Sequence, residues 1–491
     1  MENLHLIADL DLRQMTPFQS ELHYPPKNAD KNSQDSTVRT PFFHKFDRVS
    51  WSTQLPQKMP VTFNQDGESE VCTYEADDKF DYLLNSYHMQ PLPALRVREK
   101  YKDKYQICWP HNVGHNIYEE AWLYIDNQMA ARFDNIWLDE VSQYYQTKRE
   151  PYLKSIGNVG FLTNWNTFLP AYSLYIQQPW FYTKPYRSLP LLLCKLDKVK
   201  HKYKLRRDLR NLLRMRRKKD DGSWEEIKCN TSFIEGIKDD KIPIPELWGR
   251  YALISPEERL WLEGKDEKGK KVVDREYVLY TDDVLPYKST NSERLGTTVN
   301  VPISSPLPVR AFFWVAENES SKSINNLSNY TTNKTDISLG WSPIDKVSMT
   351  RGTVTRIPQM SSGHFGNIEA IRHFPMVPYD PGYGAYSASY DTTSYNAEVG
   401  VALDSKYQNE LCFVLGNTDP NLTKIKHVKT ENGREEDAPE EDEEKEEIVV
   451  DNDPATKYKY SIHVRLLIMR KIVFMYEKKV SISTGTITNM N

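Results

Sequence analysis

Cysteine is scarce in this sequence. Five cysteines occur in 491 residues, and they are widely scattered, odd in number and without a CxxC pair. Disulfide frameworks and zinc knuckles need paired or regularly spaced cysteines, so this pattern disfavours both. We therefore expect reduced, buried thiols in a cytosolic assembly compartment at Cys72, Cys108, Cys194, Cys229 and Cys412.

Long apolar runs and an excess of one charge are also lacking. A membrane-spanning helix needs about 18 uncharged apolar residues, and even the apolar segment Val464–Met475 is interrupted by three cations. The first fifteen residues carry Asp9 and Asp11 and no apolar core, so no signal peptide is expected. The net charge of −4 gives no overall attraction to nucleic acid.

Catalytic signatures are missing as well. The sequence has no GxSxG, no P-loop and no GxGxxG, and its many carboxylates form no recognisable acid/base pair. We therefore predict no catalytic residue, no cofactor-binding residue and no cofactor, and we expect that the protein is not an enzyme.

The residues that are abundant favour β-structure. Aromatic residues make up 12% of the chain, and Pro (29) outnumbers Gly (20). Short alternating runs separated by turn residues predict an all-β fold of sandwiches or jelly rolls. Two helices are predicted between strands: Ile136–Tyr145, with Asp134 or Asn135 as N-cap, and Arg206–Arg217 with a thin leucine stripe.

At 491 residues the chain exceeds one ordinary core. Residues 1–45 are polar and patternless and are interpreted as an N-terminal arm or, alternatively, a disordered tail. A polar gap at Lys288–Thr297 suggests a boundary near 290, giving β-rich halves 46–290 and 291–491 without literal self-similarity. A strongly acidic stretch at 430–457 is predicted to be a solvated loop inserted in the second half.

The motif HNVGHN places His111 and His115 four residues apart, with Glu119 and Glu120 following. Two histidines at that spacing on a helix can share a zinc ion. The HExxH pattern is absent, however, and Gly114 is a poor helix residue. We therefore predict a structural strand-and-turn segment and no metal site.

Residues 195–219 contain thirteen Lys or Arg residues, the strongest nucleic-acid signal in the chain, because phosphate binding needs clustered cations. No aromatic platform runs through the most basic part. The favoured interpretation is an exposed strand–helix hairpin that meets acidic neighbours in an assembly, and a contact to an internal minor protein is an alternative.

Six N-x-S/T sequons also stand out, and four of them fall within residues 318–335. That cluster is predicted to form a surface loop, and its glycosylation is not expected without a secretory signal. The sequons begin at Asn230, Asn318, Asn326, Asn329, Asn333 and Asn421.

Seven segments, in order over roughly residues 45–480, resemble the double jelly-roll major capsid proteins of nucleocytoplasmic large DNA viruses. They are Ile107–Ile125, Phe133–Tyr145, Ile156–Asn158, Leu174–Leu193, Trp248–Arg259, Pro308–Ala316 and Arg465–Phe474. The chain departs from the family at Tyr383–Val401, where a Pro-Ser-Gly…Asn-Phe-Ser-Arg stretch is usual, and in the acidic insertion.

The resemblance implies two tandem eight-stranded jelly rolls, with short helices in loops, that form pseudo-hexagonal homotrimers. Such capsomers would contact neighbouring capsomers and minor capsid and penton proteins in a virion assembled in the host cytoplasm, with an internal membrane beneath the shell as an option. No direct nucleic-acid binding is expected. The alternatives are a scaffold or minor capsid protein of the same fold, a jelly-roll glycan-binding protein or hydrolase, and a nucleic-acid-binding protein using 195–219.

Overall fold

A computed structural model gives the fold of most of the chain. The predicted arm at 1–45 and almost all of the acidic insertion at 430–457 lie outside the described residues. The residues described are 52–66, 69–125, 127–183, 187–194, 198–236, 239–266, 268–389, 392, 401–403, 408–416 and 457–483.

The first half is a pair of antiparallel sheets facing each other, with strand orders β1-β16-β4-β10 and β2-β3-β12-β7-β8. Two smaller sheets, β14-β13-β6 and β15-β5-β9, extend it. The strands are β1 Ser52–Lys58, β2 Val61–Asp66, β3 Ser69–Glu75, β4 Tyr82–Leu92, β5 Leu95–Val97, β6 Tyr105–Cys108, β7 Tyr118–Ile125, β8 Gln128–Phe133, β9 Phe168–Leu169, β10 Tyr172–Gln177, β11 Leu189–Pro190, β12 Val199–Leu205, β13 Arg214–Lys218, β14 Trp224–Ile227, β15 Ile234–Glu235 and β16 Glu246–Ile254.

The second half repeats the plan with orders β17-β25-β19-β22 and β18-β24-β20-β21. The strands in the two large sheets of each half, without β2 and the short strands β11, β23 and β26, can be numbered one to eight in chain order. With this numbering both halves have the sheet orders 1-8-3-6 and 2-7-4-5. This shared order is that of the eight-stranded jelly roll. The strands are β17 Glu276–Lys288, β18 Thr298–Ile303, β19 Ser305–Asn318, β20 Ile344–Arg351, β21 Val354–Ser361, β22 Tyr383–Ser387, β23 Val401–Leu403, β24 Asn409–Leu415, β25 Tyr460–Met475 and β26 Ser481–Ile482.

Short helices lie between the strands. The α-helices are α1 Val113–Asn116, α2 Asn135–Tyr144, α3 Arg149–Ser155, α4 Gly160–Thr163, α5 Pro256–Leu262, α6 Glu319–Ser323 and α7 Glu369–His373, and α7 continues a π-helical turn, His364–Ile368. The 3-10 turns are Glu99–Tyr101, Phe181–Thr183, Leu191–Cys194, Leu209–Asn211, Thr231–Phe233 and Ile337–Leu339.

One predicted helix is confirmed and the other is wrong. Helix α2 begins after Asp134, whose carboxylate caps it by accepting a hydrogen bond from the Trp137 amide at 2.8 Å. The predicted helix Arg206–Arg217 is a 3-10 turn followed by strand β13, which pairs with β6 and β14. The leucines of its apolar stripe are buried in the sandwich instead, so tertiary packing overrides the helical pattern.

Alternation along the strands builds each jelly-roll core. β12 and β24 are buried at every second residue, as expected for strands with one face towards the core. The first core contains a cluster of aromatic rings, in which His88 lies 4.4 Å from Tyr203 and its Nδ1 lies 2.6 Å from the Tyr118 hydroxyl. Burial lowers the pKa of His88 to about 3, so the imidazole stays neutral.

The sheet β17-β25-β19-β22 is buried on both faces. Phe312 and Trp314 point into the core of the second jelly roll, whereas Phe313 and Val315 pack with the first jelly roll. This double burial explains why β19 and β25 are buried almost continuously, and why the apolar run Ala311–Ala316 on β19 does not alternate with polar residues. The two jelly rolls therefore pack together through one continuous hydrophobic contact.

The pairing of β17 is relevant to the position of the boundary between the two jelly rolls. Its thirteen residues, Glu276–Lys288, pair along their whole length with the long strand β25 near the end of the second half. The sequence boundary near residue 290 stays a prediction, and this pairing would move it to the segment between α5 and β17.

Replacing Gly384 with alanine tests the packing of the second jelly roll. A Cβ at this position would collide with the fully buried indole of Trp314. Overpacking of this kind costs about 1–3 kcal/mol, so Gly384→Ala is expected to lower the melting temperature. Gly363→Ala is the control, because the nearest atoms lie 4.0 Å from its added Cβ. Equal melting temperatures for both variants would contradict the packing described.

Candidate functional site

The HNVGHN motif lies between strands β6 and β7 of the first jelly roll. After strand β6 the chain turns and forms the one-turn helix α1, so the segment is a strand, a turn and a helical turn. His111 is exposed, whereas His115 is completely buried. Glu119 lies on β7 and forms an ion pair with Lys204 at 3.0 Å. The structure does not bring these residues together as metal ligands.

The buried residues of the motif join a polar network around Asp139 on α2. His115 places Nδ1 2.6 Å from one carboxyl oxygen of Asp139, and Asn112 donates to the same oxygen at 2.8 Å. Tyr330 donates to the other oxygen at 2.9 Å, and the Nε2 of His115 lies 2.8 Å from the Tyr152 hydroxyl. Every oxygen of this buried carboxyl therefore has a partner, as buried polar groups require.

The network connects the two jelly rolls. Tyr330 belongs to the bridging loop, residues 319–343, which joins β19 to β20 in the second jelly roll. Asn325 of the same loop donates to the carbonyl oxygens of Arg210 at 2.8 Å and Leu213 at 2.7 Å. Burial raises the pKa of Tyr330 well above its ordinary value, which keeps its hydroxyl protonated as a donor.

A second buried carboxyl stands beside this network. Glu140, also on α2, is 1% exposed, and among the described residues neither of its carboxyl oxygens has a hydrogen-bond partner. Burial raises its pKa well above the ordinary value, although the nearby Arg465 guanidinium opposes that shift. Arg465 itself donates to Asp134 at 2.6 Å and so secures the N-terminus of α2 against β25.

Most of the sequon cluster is buried and is not a surface loop, which corrects the sequence-based expectation. Only its end, from half-buried Asn333 to exposed Thr335, reaches the surface. Asn318, Asn326 and Asn329 are each at most 1% exposed. The side-chain amide of Asn326 donates to the Lys334 carbonyl at 3.1 Å, and that of Asn329 donates to the Asn333 carbonyl at 2.7 Å. These asparagines hold the bridging loop in shape, and their amide nitrogens are inaccessible in the folded chain. Asn230 is exposed, and Asn421 lies outside the described residues.

Six of the thirteen cations in the basic segment, residues 195–219, form ion pairs within the described part of the chain. Arg214 makes a bidentate contact with Glu226 at 2.8 Å, and both side chains are nearly buried. The Arg216 guanidinium lies over the rings of Trp165 and Trp224 at 4.9 and 4.7 Å. Further pairs are Lys198–Glu75, Lys204–Glu119, Arg207–Glu70, Arg210–Asp208 and Arg217–Glu225.

About half of the cations that were expected to meet acidic neighbours in an assembly therefore have acidic partners in the same chain. No local pattern indicates Trp165 as a partner of Arg216, because the two residues lie about fifty positions apart along the chain. Cations engaged by carboxylates and indoles are less available to phosphates. This arrangement weakens the nucleic-acid alternative.

Other features of the described residues give no sign of chemistry. Across the described part of the chain, no group of three or more His, Cys, Asp or Glu side chains is placed to hold a metal ion. No helix in the same part is long and apolar enough to cross a membrane. The five cysteines are free, four of them buried and Cys412 half-buried. A cavity of about 190 Å³ between the jelly rolls is lined mainly by apolar groups such as Trp137, Trp180 and Leu467.

The sequence has relatives among viral proteins. It is 22% identical over 383 residues to the major capsid protein of Simulium iridescent virus, covering 72% of this chain and 76% of that protein. It is 23% identical over 374 residues to the major capsid protein of Frog virus 3 (isolate Goorha), covering 72% and 77%. No family model matches the chain.

Solved structures share the fold. The quasi-atomic model of the PBCV-1 virus capsid matches with a TM-score of 0.60 at 12% identity, over 89% of this chain and 97% of that chain. The Faustovirus major capsid protein matches with a TM-score of 0.61 at 7% identity, over 87% and 91%. At such identities these likenesses establish the fold.

Two jelly rolls with one strand order, packed through a buried contact, define the class of fold: this is a double jelly-roll protein. The resemblance to major capsid proteins of nucleocytoplasmic large DNA viruses is confirmed by the iridovirus relatives. The function is accordingly that of a major capsid protein, a structural component of the virion shell. The expectation that the chain is not an enzyme is confirmed by the structural role of those relatives.

Removing the Tyr330 hydroxyl tests the network between the jelly rolls. Tyr330→Phe leaves a buried Asp139 oxygen without its donor, which costs about 1–3 kcal/mol. We expect a lower melting temperature than for Tyr379→Phe, whose side chain is largely solvent-exposed. Thermal unfolding followed by tryptophan fluorescence measures both. If the two variants melt alike, the hydroxyl contributes nothing to the contact.

A second prediction concerns the buried sequons. Asn326→Gln displaces an amide that donates to two backbone carbonyls and adds a methylene to a buried position, so destabilisation by about 1–3 kcal/mol is expected. Asn300→Gln, at an exposed position on β18, is the matched control. Urea titration of both variants gives the comparison, and a surface-loop conformation would leave the two midpoints equal.

Proposed function

We propose that this major capsid protein acts as a homotrimeric capsomer with a pseudo-hexagonal outline. The observation that supports this proposal is that one chain contains two jelly rolls with the same strand order, packed against each other. Three such chains would present six similar wedges around a ring. Contacts between unlike surfaces of successive copies can close such a ring, and the rings can then associate laterally into a curved shell.

The segments around the jelly rolls have proposed places in the shell. With the chain divided into an arm (1–45) and jelly rolls 46–290 and 291–491, the arm would lie at the base and contact neighbours or an internal layer. The polar segments 264–274 and 430–457 would form outward loops. The pairing of β17 favours counting residues from about 276 onwards with the second jelly roll.

The proposed partners are neighbouring capsomers, minor capsid proteins and penton proteins, in particles assembled in the host cytoplasm, with an internal membrane as a possible layer beneath. No catalytic, cofactor-binding or metal-binding residue and no direct nucleic-acid contact is proposed. The pairing of Arg214 with Glu226 and the stacking of Arg216 on two indoles support the last point. A scaffold or minor capsid role would differ in copy number, which quantitative mass spectrometry of purified particles measures.

The solution mass and negative-stain image of the purified protein test the capsomer. Three chains of 57.4 kDa give about 172 kDa, and the expected particle is hexagon-like. Light scattering coupled to size exclusion measures the mass over a range of concentrations. A monomer of 57.4 kDa at every concentration, including after co-expression with chaperones, would exclude the trimer.

A further inference from the structure

The internal repeat extends to a helix between the fifth and sixth strands of each jelly roll. In the first jelly roll, α2 lies between β8 and β10. In the second, the π-helical turn His364–Ile368 and helix α7 together, here named the second-roll helix (364–373), lie between β21 and β22. The two helices therefore hold equivalent positions in the two halves.

Within the chain, α2 covers the outer face of the sheet β17-β25-β19-β22. The Trp137 ring lies 5.2 Å and the Tyr144 ring 5.3 Å from the Phe313 ring on β19, both edge-on. Asp134 at the start of α2 binds Arg465 on β25. These contacts bury Phe313 completely. One half of the repeat thus shows how this helix meets the neighbouring sheet.

The second-roll helix has an apolar face without a covering. Ile368 is 49% exposed and Ile371 68% exposed, and their spacing of three residues puts them on one side. Phe365 is buried and anchors the helix to the core of its own jelly roll, where it packs edge-on against Trp314 at 5.2 Å. Ala370 is buried in the cluster that the two jelly rolls share. The side chains of the two exposed isoleucines therefore contribute little to the packing of the helix within a single chain.

The equivalent sheet of the first jelly roll, β1-β16-β4-β10, also has an uncovered outer face. Tyr87, Met89 and Trp248 are half-buried there, and Tyr175 is 50% exposed. Strand pairing places them side by side, with Tyr87 opposite Trp248 and Met89 opposite Tyr175. This patch, here named the first-roll face, corresponds to the surface that α2 covers in the second jelly roll.

We propose that the second-roll helix of one copy packs on the first-roll face of the next copy, repeating between chains the contact that α2 makes within the chain. The inference rests on the proposed trimer and names its interface. The occupant is a second copy of this chain because the only helix–sheet contact of this kind among the described residues joins the two halves of the repeat. Apolar and aromatic residues on both sides suit a buried interface centre.

Cross-linking between introduced cysteines tests the pairing. The double variant Ile371→Cys/Tyr175→Cys, treated with a short bis-maleimide at neutral pH, is expected to yield covalent dimers and trimers on denaturing gels. Each single variant and the unmodified protein are controls for the five native thiols, of which only Cys412 is partly accessible. A variant that is trimeric by light scattering but gives no ladder beyond the controls overturns this interface and leaves the trimer standing. Absence of any trimer overturns both.

Introducing a charge at position 371 is an independent test of the interface, and the measured quantity is the concentration needed for trimer formation. Ile371→Arg is expected to raise the concentration needed for trimer formation on the order of tenfold or more, as for an apolar anchor at an interface. Val272→Arg, at a residue with the same 68% exposure outside the proposed contact, should leave it unchanged. The melting temperature of the dissociated chain should not change in either variant, because both residues are exposed. Equal assembly of the two variants would refute the proposed interface.

Discussion

The contact between the two jelly rolls is the constraint on which the rest of the structure depends. β19 has to serve two cores at once, with Phe312 and Trp314 facing one and Phe313 and Val315 facing the other. A strand in that position cannot alternate between apolar and polar residues, and its near-continuous apolar sequence follows from the packing. Without the first jelly roll, this sheet would expose a large apolar surface to water, which soluble domains avoid.

Polar groups buried in the same contact give it a defined geometry. Hydrophobic packing alone has little directional preference, whereas the Asp139 carboxyl requires donors at set positions. His115 and Asn112 supply them from the first jelly roll, and Tyr330 from the bridging loop of the second. A shifted contact would leave buried polar atoms unpaired, at a cost of about 1–3 kcal/mol each. The network therefore favours one orientation of the two halves, which a subunit of a regular shell needs.

The architecture could be predicted from the sequence, but many of the contacts between buried residues could not. Alternating runs and the ordered family segments led to the double jelly roll, and the capping position of Asp134 led to α2. The helix at Arg206–Arg217 was wrong because leucines at helical spacing fit a turn and a strand equally well once the sandwich buries them. The sequons were placed on the surface because asparagine is usually exposed, whereas here asparagine side chains replace missing backbone partners in a long buried loop. The Asp139 network joins residues up to 191 positions apart, a separation that local patterns do not register.

The repeat in the fold has no counterpart in the sequence, and the physical reason bears on assembly. The two halves share strand order, but their outer sheet faces meet different surroundings: one is covered within the chain, and the other carries partly exposed Tyr87, Trp248 and Tyr175. Different surroundings select different residues, so Phe313 and Tyr87 came to occupy similar places with little likeness in sequence. An aromatic surface that is covered in one half and open in the other is incomplete in a single chain. In the trimer that we propose, a second copy supplies the missing helix and leaves its own first-roll face open for a third.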